Sequence, residues 1–134
     1  MLPTQCLCTR LRRASRKVTR TYDDALIAVG LGAAQFSLLR HVQRLGQPSI
    51  SALAEAMGLD RSTLGRNLRV LAEQGLLQLG EGRDMRAREV RLTDAGVQRI
   101  EQAVPLWEQA QQALAGQLGV ERHAELMRLL EELA

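Results

Sequence analysis

The segment of residues 49–96 limits the fold of this chain more than any other, because two short amphipathic helices there are followed directly by a hairpin. Apolar residues at helical spacing predict helices over about 50–57 and 61–74. Asp60 stands at the N-cap of the second of these helices, where its carboxylate can accept the amide hydrogen of Thr63.

Two short strands are predicted after these helices. Leu77 and Leu79 alternate with polar residues, and so do Val90 and Leu92. The stretch GEGRDMRARE between them is charged and is typical of a hairpin tip. The order of elements is that of a helix-turn-helix followed by a wing.

Long amphipathic segments lie on both sides of this middle region. We expect helices over about 4–29, 33–45, 94–117 and 121–133. One copy of the middle region cannot cover the apolar stripes of the first helix and the last two, so we expect them to interleave with those of a second copy. The predicted fold is mainly α with a small β-hairpin wing, in a single domain. Its helical dimerisation region comprises residues 4–32 and 94–134, and its DNA-binding region residues 33–93.

Charge is distributed unevenly along the chain. Residues 1–91 hold fifteen Arg and Lys against eight Asp and Glu, whereas residues 92–134 hold three against seven. This asymmetry favours an anion-binding front and an acidic remainder.

The sequence also indicates a cytoplasmic protein. No apolar run reaches the roughly 18–20 residues of a membrane span, and the N-terminus lacks the charge order of a secretory signal. Two cysteines in an unexported chain predict a reducing compartment.

The helix over 61–74 carries residue types that suit the major groove of DNA. Arg can bind guanine through two hydrogen bonds, Asn can bind adenine in the same way, and hydroxyls in the first turn can reach phosphate. With Leu64, Leu68 and Leu71 predicted to be buried, the candidate DNA-binding residues are Arg61, Ser62, Thr63, Arg66, Asn67 and Arg69. Gly65 leaves room for close approach of the backbone.

The hairpin tip is the second candidate contact with DNA. Its candidate DNA-binding residues are Arg83, Arg86 and Arg88, which suit a narrow minor groove. Asp84 is expected to orient the guanidinium of Arg86, and Arg91 is expected to be structural.

The run from Gln35 to Gly96 resembles the MarR family of winged-helix bacterial regulators. The resemblance rests on LAEAMGLDRSTLGRNLRVLAEQGLL, which is Leu53–Leu77, and on DMRAREVRLTDAG, which is Asp84–Gly96. The second segment has the family's aspartate, spaced arginine and aliphatic-x-Leu-Thr-x-x-Gly. The resemblance implies a homodimer on a pseudo-palindromic operator, with repression relieved by a small ligand or by oxidation.

Cys6 and Cys8 are the redox candidates. A thiol in the first turn of a helix, with arginines nearby, is shifted towards the reactive thiolate. The placement is similar to that in peroxide-sensing members of the same family. Alternatively, a cysteine in this position packs as a small, buried apolar side chain and has no redox function.

A metal ion and a small aromatic ligand are the two other effectors that the sequence allows. A metal sensor would draw its ligands from Cys6, Cys8, His41 and His123. The resemblance implies instead a small aromatic ligand between the two regions, with candidate pocket residues Arg16, Tyr22, Phe36 and His41. Core packing is the alternative role for the two aromatic residues.

Two other functional classes fit less well. A winged helix that serves as a protein–protein adaptor is expected to lack arginines on the recognition helix and wing, and this chain has both sets. An enzyme is not expected, because no nucleophile–base set, glycine-rich phosphate loop or paired carboxylates can be recognised. No cofactor is predicted.

Overall fold

A computed structural model describes residues 5–134, and it confirms a mainly helical chain with one antiparallel hairpin. The helices are α1 (Leu7–Leu26), α2 (Ala33–Leu45), α3 (Ile50–Met57), α4 (Arg61–Glu73), α5 (Asp94–Leu118) and α6 (Val120–Leu133). The strands are β1 (Leu77–Leu79) and β2 (Val90–Leu92), and short 3-10 turns cover Ile27–Val29 and Met85–Ala87. The predicted start of the first helix at Thr4 lies outside the described residues.

The first helix ends earlier than predicted. Its α-helical part stops at Leu26 and tightens into the turn Ile27–Val29. Gly30 follows with a φ of 70° and donates its amide hydrogen to the carbonyl of Ile27 at 3.0 Å. The left-handed glycine therefore closes the helix and sends the chain towards α2.

The core lies where α2, α3, α4, the hairpin and α5 meet. Its fully buried side chains are aliphatic: Leu26, Leu38, Leu39, Val42, Leu53, Leu64, Leu68, Leu71, Leu76, Val90 and Ile100. Because these leucines recur at helical spacing, local sequence is enough to place one face of each short helix inward.

A third strand-like segment holds the base of the wing. The hairpin register pairs Leu77 with Leu92, Gln78 with Arg91 and Leu79 with Val90. In addition, Ile50 donates its amide hydrogen to the carbonyl of Arg88 at 3.0 Å, and Val90 donates to Pro48 at 2.8 Å. The sequence did not predict this pairing, because the segment before α3 is short and opens with a proline.

The outer helices leave apolar side chains uncovered. α1 and α6 both pack on α5, yet Leu7 of α1 is 59% exposed and Val18 is 38% exposed. Every residue of α6 except the half-buried His123 is exposed, including Met127 and Leu130. One copy of the chain therefore does not cover these two stripes.

Within residues 5–134 no single helix is long and apolar enough to cross a membrane. The segments Leu7–Val29 and Ala33–Leu45 are long and apolar enough only when they are taken as a pair, and the chain bends by 75° between them.

Candidate nucleic-acid interface

The N-terminus of α4 is held by its cap, as predicted. The carboxylate of Asp60 accepts the amide hydrogen of Thr63 at 2.8 Å and the hydroxyl hydrogen of the same residue at 2.9 Å. These bonds, with smaller contributions from the Ser62 amide and the charge of Arg66, hold the pKa of Asp60 below its ordinary value. The first turn of α4 is therefore fixed in place, and Ser62 remains as its exposed hydroxyl.

The faces of α4 divide as the sequence predicted. Leu64, Leu68 and Leu71 are buried. The polar candidates lie on the other faces: Arg61, Ser62, Arg66 and Arg69 are exposed, and Thr63 and Asn67 are half-buried. Five residues of the polar face thus keep donors for an outside partner, while Thr63 already donates its hydroxyl hydrogen to the cap.

Within residues 5–134 the arginines of α4 and of the wing form no ion pair, although the charge of Arg66 still acts on Asp60. None of Arg61, Arg66, Arg69, Arg83, Arg86 and Arg88 forms an ion pair with another residue in the range 5–134. Their charge is therefore available to an external anion, and phosphate is one of the two anions whose geometry a guanidinium fork matches.

Asp84 orders the wing tip through the backbone, which differs from the expectation. Its carboxylate accepts the amide hydrogen of Arg86 at 3.0 Å, and its carbonyl accepts that of Ala87 at 3.2 Å. An aspartate side chain is short, so it reaches the backbone two residues on more readily than the end of a long guanidinium. The side chain of Arg86 is left exposed.

Arg88 braces the wing from within. Its guanidinium donates from Nε and Nη2 to the carbonyl of Gly82, at 3.0 and 2.8 Å. Arg88 was predicted to contact DNA, but in this structure two of its donors close the tip on itself. Arg91 donates to Gln78 across the strands at 3.3 Å, which agrees with its expected structural role.

The Leu-Thr-x-x-Gly motif joins the wing to α5. The hydroxyl of Thr93 donates to the carbonyl of Gly75 at 2.6 Å and accepts the amide hydrogen of Gly96 at 3.0 Å. A Cβ on Gly96 would lie 2.2 Å from the carbonyl oxygen of Leu76. Only glycine allows this approach between the start of α5 and the end of the helix-turn-helix.

An aromatic cavity of about 350 Å³ lies between α1, α2 and α5. Its lining residues are Tyr22, Ala33, Phe36, Ser37, Arg40, His41 and Trp107. The ring of Trp107 stacks on Tyr22 with centroids 6.4 Å apart and meets Phe36 at 6.2 Å. Three of the four predicted pocket residues are thus gathered in one place.

The pocket cation predicted from the sequence lies elsewhere in a single chain. Arg16 lines open grooves along α1 and not the aromatic cavity. Arg40 takes that place, with its Cζ atom 5.9 Å from the centroid of the Phe36 ring. Trp107 is a cavity residue that sequence reasoning missed, since nothing local shows which face of its helix meets a cavity.

Two polar groups of the cavity wall have defined hydrogen bonds. Nδ1 of His41 donates to the carbonyl of Ser37 at 2.7 Å, which leaves Nε2 for another partner. The hydroxyl of Tyr22 donates to Oε1 of Gln111, and burial raises the pKa of that phenol.

The two cysteines differ in their surroundings. Both are free thiols; Cys6 is half-buried at the N-cap of α1, and Cys8 is exposed. The amide and the hydroxyl of Thr9, followed by the amide of Cys8, lower the pKa of Cys6. Across residues 5–134 no three His, Cys, Asp or Glu side chains converge, so a single chain does not assemble the metal site considered for Cys6, Cys8, His41 and His123.

The chain is similar in sequence and in structure to known transcriptional regulators. A sequence model described as the MarR family matches residues 29–87. The structure of the M. tuberculosis transcriptional regulator MosR is 32% identical, with 97% of this chain and 98% of that chain covered and a TM-score of 0.79. MosR in complex with DNA is 34% identical, with 96% and 98% covered and the same TM-score.

A further solved structure is similar over almost its full length. Bordetella bronchiseptica BpsR, whose DNA binding is regulated by 6-hydroxynicotinic acid, is 25% identical, with 99% and 96% covered and a TM-score of 0.88. Among curated proteins no sequence matches the chain.

Proposed function

Since the chain belongs to the MarR family of transcriptional regulators, we propose that it binds a pseudo-palindromic operator as a homodimer and represses transcription. The observation that carries the proposal is the set of arginines on α4 and the wing tip that form no ion pair in the described part of the chain. The DNA complex known for MosR supports the same use of this fold.

We assign the major groove to α4 and the minor groove to the wing. Arg66 and Asn67 lie on the polar face of a capped, well-ordered helix and can read base edges, while Ser62 suits a phosphate. Arg83 and Arg86 are the exposed wing arginines. We assign Arg88 to holding the tip in shape while its remaining N–H donors reach the DNA backbone.

A titration of DNA duplexes at several salt concentrations tests this assignment. Asn67→Ala should cost about 1–3 kcal/mol at one base pair and relax the preference there. Arg86→Ala should weaken binding to every duplex and lower the salt dependence by about one counterion.

Arg122→Ala removes an exposed arginine of α6 and serves as the control, with unchanged DNA affinity expected. Binding that does not depend on salt, or equal effects of all three substitutions, would contradict the proposal.

Release from DNA is proposed to follow from a small aromatic ligand or from cysteine oxidation. The aromatic cavity supports the first route, and BpsR shows that a relative's DNA binding responds to such a molecule. The lowered pKa of Cys6 supports the second, because a thiolate attacks the distal oxygen of a hydroperoxide, breaks the O–O bond and gives a sulfenate and the alcohol, and the sulfenate takes a proton from water to become the sulfenic acid.

Operator binding with and without an organic hydroperoxide separates these routes. If oxidation is the signal, the wild type should lose affinity by about tenfold or more, and Cys6→Ser should resist the oxidant more than Cys8→Ser does. A wild type that binds equally well after treatment excludes oxidation and leaves the aromatic ligand.

A further inference from the structure

We propose that the ligand site is bipartite: the aromatic cavity holds a planar ring, and a cationic recess beside it holds a phosphate attached to that ring. The inference rests on the proposed function, because it takes the aromatic cavity as the effector site. It adds the class of effector, which is a doubly charged aromatic phosphate in preference to a singly charged aromatic acid.

The recess is an open groove of about 400 Å³ on the surface of α2, lined by the exposed Arg40, Gln43 and Arg44 and the half-buried His41. Arg40 and His41 also line the aromatic cavity. The two spaces therefore adjoin at these two side chains, and we place the ring in the first and the phosphate in the second.

The two spaces differ in chemistry. Trp107, Tyr22 and Phe36 offer ring faces in the first, with centroid separations of 6.2 to 6.4 Å between the tryptophan and its neighbours. The second has two arginines and an amide, and no carboxylate lines either space. α2 itself contains no Asp or Glu.

The positions of the arginines favour a dianion. Arg40 lies at the boundary, 5.9 Å from the centre of the Phe36 ring. Arg44 is one turn further along the same face of α2, a rise of about 6 Å. Neither arginine forms an ion pair with any residue in the described part of the chain. A carboxylate on the ring would occupy Arg40 alone, whereas a phosphate ester extends further and presents three oxygens to both guanidinium groups.

His41 completes the boundary between the two spaces. Its Nδ1 is used by the Ser37 carbonyl at 2.7 Å, which leaves Nε2 outside that bond. In the neutral ring this nitrogen is an acceptor, so the phosphate oxygens are bound by the two guanidinium groups and the His41 ring only bounds the space between them.

Trp107 is the only tryptophan in the chain and lies in the wall of the aromatic cavity, so its fluorescence reports ligand binding there. The probes are benzoate, phenyl phosphate, inorganic phosphate and terephthalate at pH 8, where the phosphate ester is a dianion. We expect phenyl phosphate to bind about tenfold more tightly than benzoate and to exceed the other two as well.

Arg44→Gln should remove most of the advantage of phenyl phosphate and leave the affinity for benzoate unchanged, while Arg122→Gln, an exposed arginine of α6, should change neither. Equal affinities for benzoate and phenyl phosphate in the wild type, or no effect of Arg44→Gln, would overturn the inference. Terephthalate binding as tightly as phenyl phosphate would overturn the assignment to phosphate.

Operator affinity is measured in the same samples. If the ligand binds as expected without releasing DNA, the bipartite site stands and the effector role fails. If DNA is not bound at all, the proposed function fails independently of the site.

Discussion

At the scale of single residues, glycine and threonine at the end of the wing are explained by one close contact. Thr93 bonds to Gly75 and Gly96, and the missing side chain of Gly96 lets α5 start against the carbonyl of Leu76. The motif that resembles the family is therefore a structural joint, and its residues need not contact DNA.

Gly96→Ala tests this joint. The new methyl carbon would meet a backbone oxygen that cannot move freely, so we expect the free energy of unfolding to fall by about 1–3 kcal/mol. Gly116→Ala is the matched control, because nothing lies within 4 Å of its Cβ position in α5. The control should gain about 0.5–1 kcal/mol from helix propensity. Urea unfolding measures both, and a stable Gly96→Ala would show that the joint is not needed.

At the scale of elements, α4 contains a glycine that the fold does not require. A Cβ on Gly65 would meet no heavy atom within 4 Å. A glycine inside a helix costs stability, so its presence here is best explained by an approach of the α4 backbone to DNA.

Gly65→Ala should therefore separate stability from binding. We expect the substitution to raise the free energy of unfolding by about 0.5–1 kcal/mol and to weaken operator binding about tenfold. Thermal unfolding and a DNA titration measure the two effects on one sample. Unchanged DNA affinity would place the α4 backbone away from the duplex.

The wing illustrates how far an element can be predicted from sequence. Its strands follow from alternating apolar residues, and its polar tip follows from composition. The bonds of Arg88 to Gly82 and of Ile50 to Arg88 do not, because they depend on how the tip closes and on which segment lies beside it.

At the scale of the whole molecule, the uncovered stripes of α1 and α6 are the surface that we assign to the second copy in the proposed homodimer. Leu7, Met127 and Leu133 are each at least half exposed in a single chain. Burying such side chains stabilises association by about 25 cal/mol per Å² of apolar surface, before the costs of association are subtracted.

Met127→Glu should disrupt this association. A carboxylate forced into an apolar contact has no partner there, so we expect the dimer dissociation constant to rise by about a hundredfold or more. Glu131→Gln is the control. It removes a charge at a position that is already polar and should leave the dimer intact. Light scattering after size exclusion measures both variants, and a monomeric wild type would refute the dimer.

The elements of the middle region followed from the sequence alone, because leucine spacing and the Asp60 cap act within a few residues of one another. The joining of Tyr22, Arg40 and Trp107 around one cavity was decided by the tertiary structure. These residues lie on three different helices, and the distances between such residues depend on how whole helices pack. Local periodicity places a side chain on a face, and it does not specify what that face will meet.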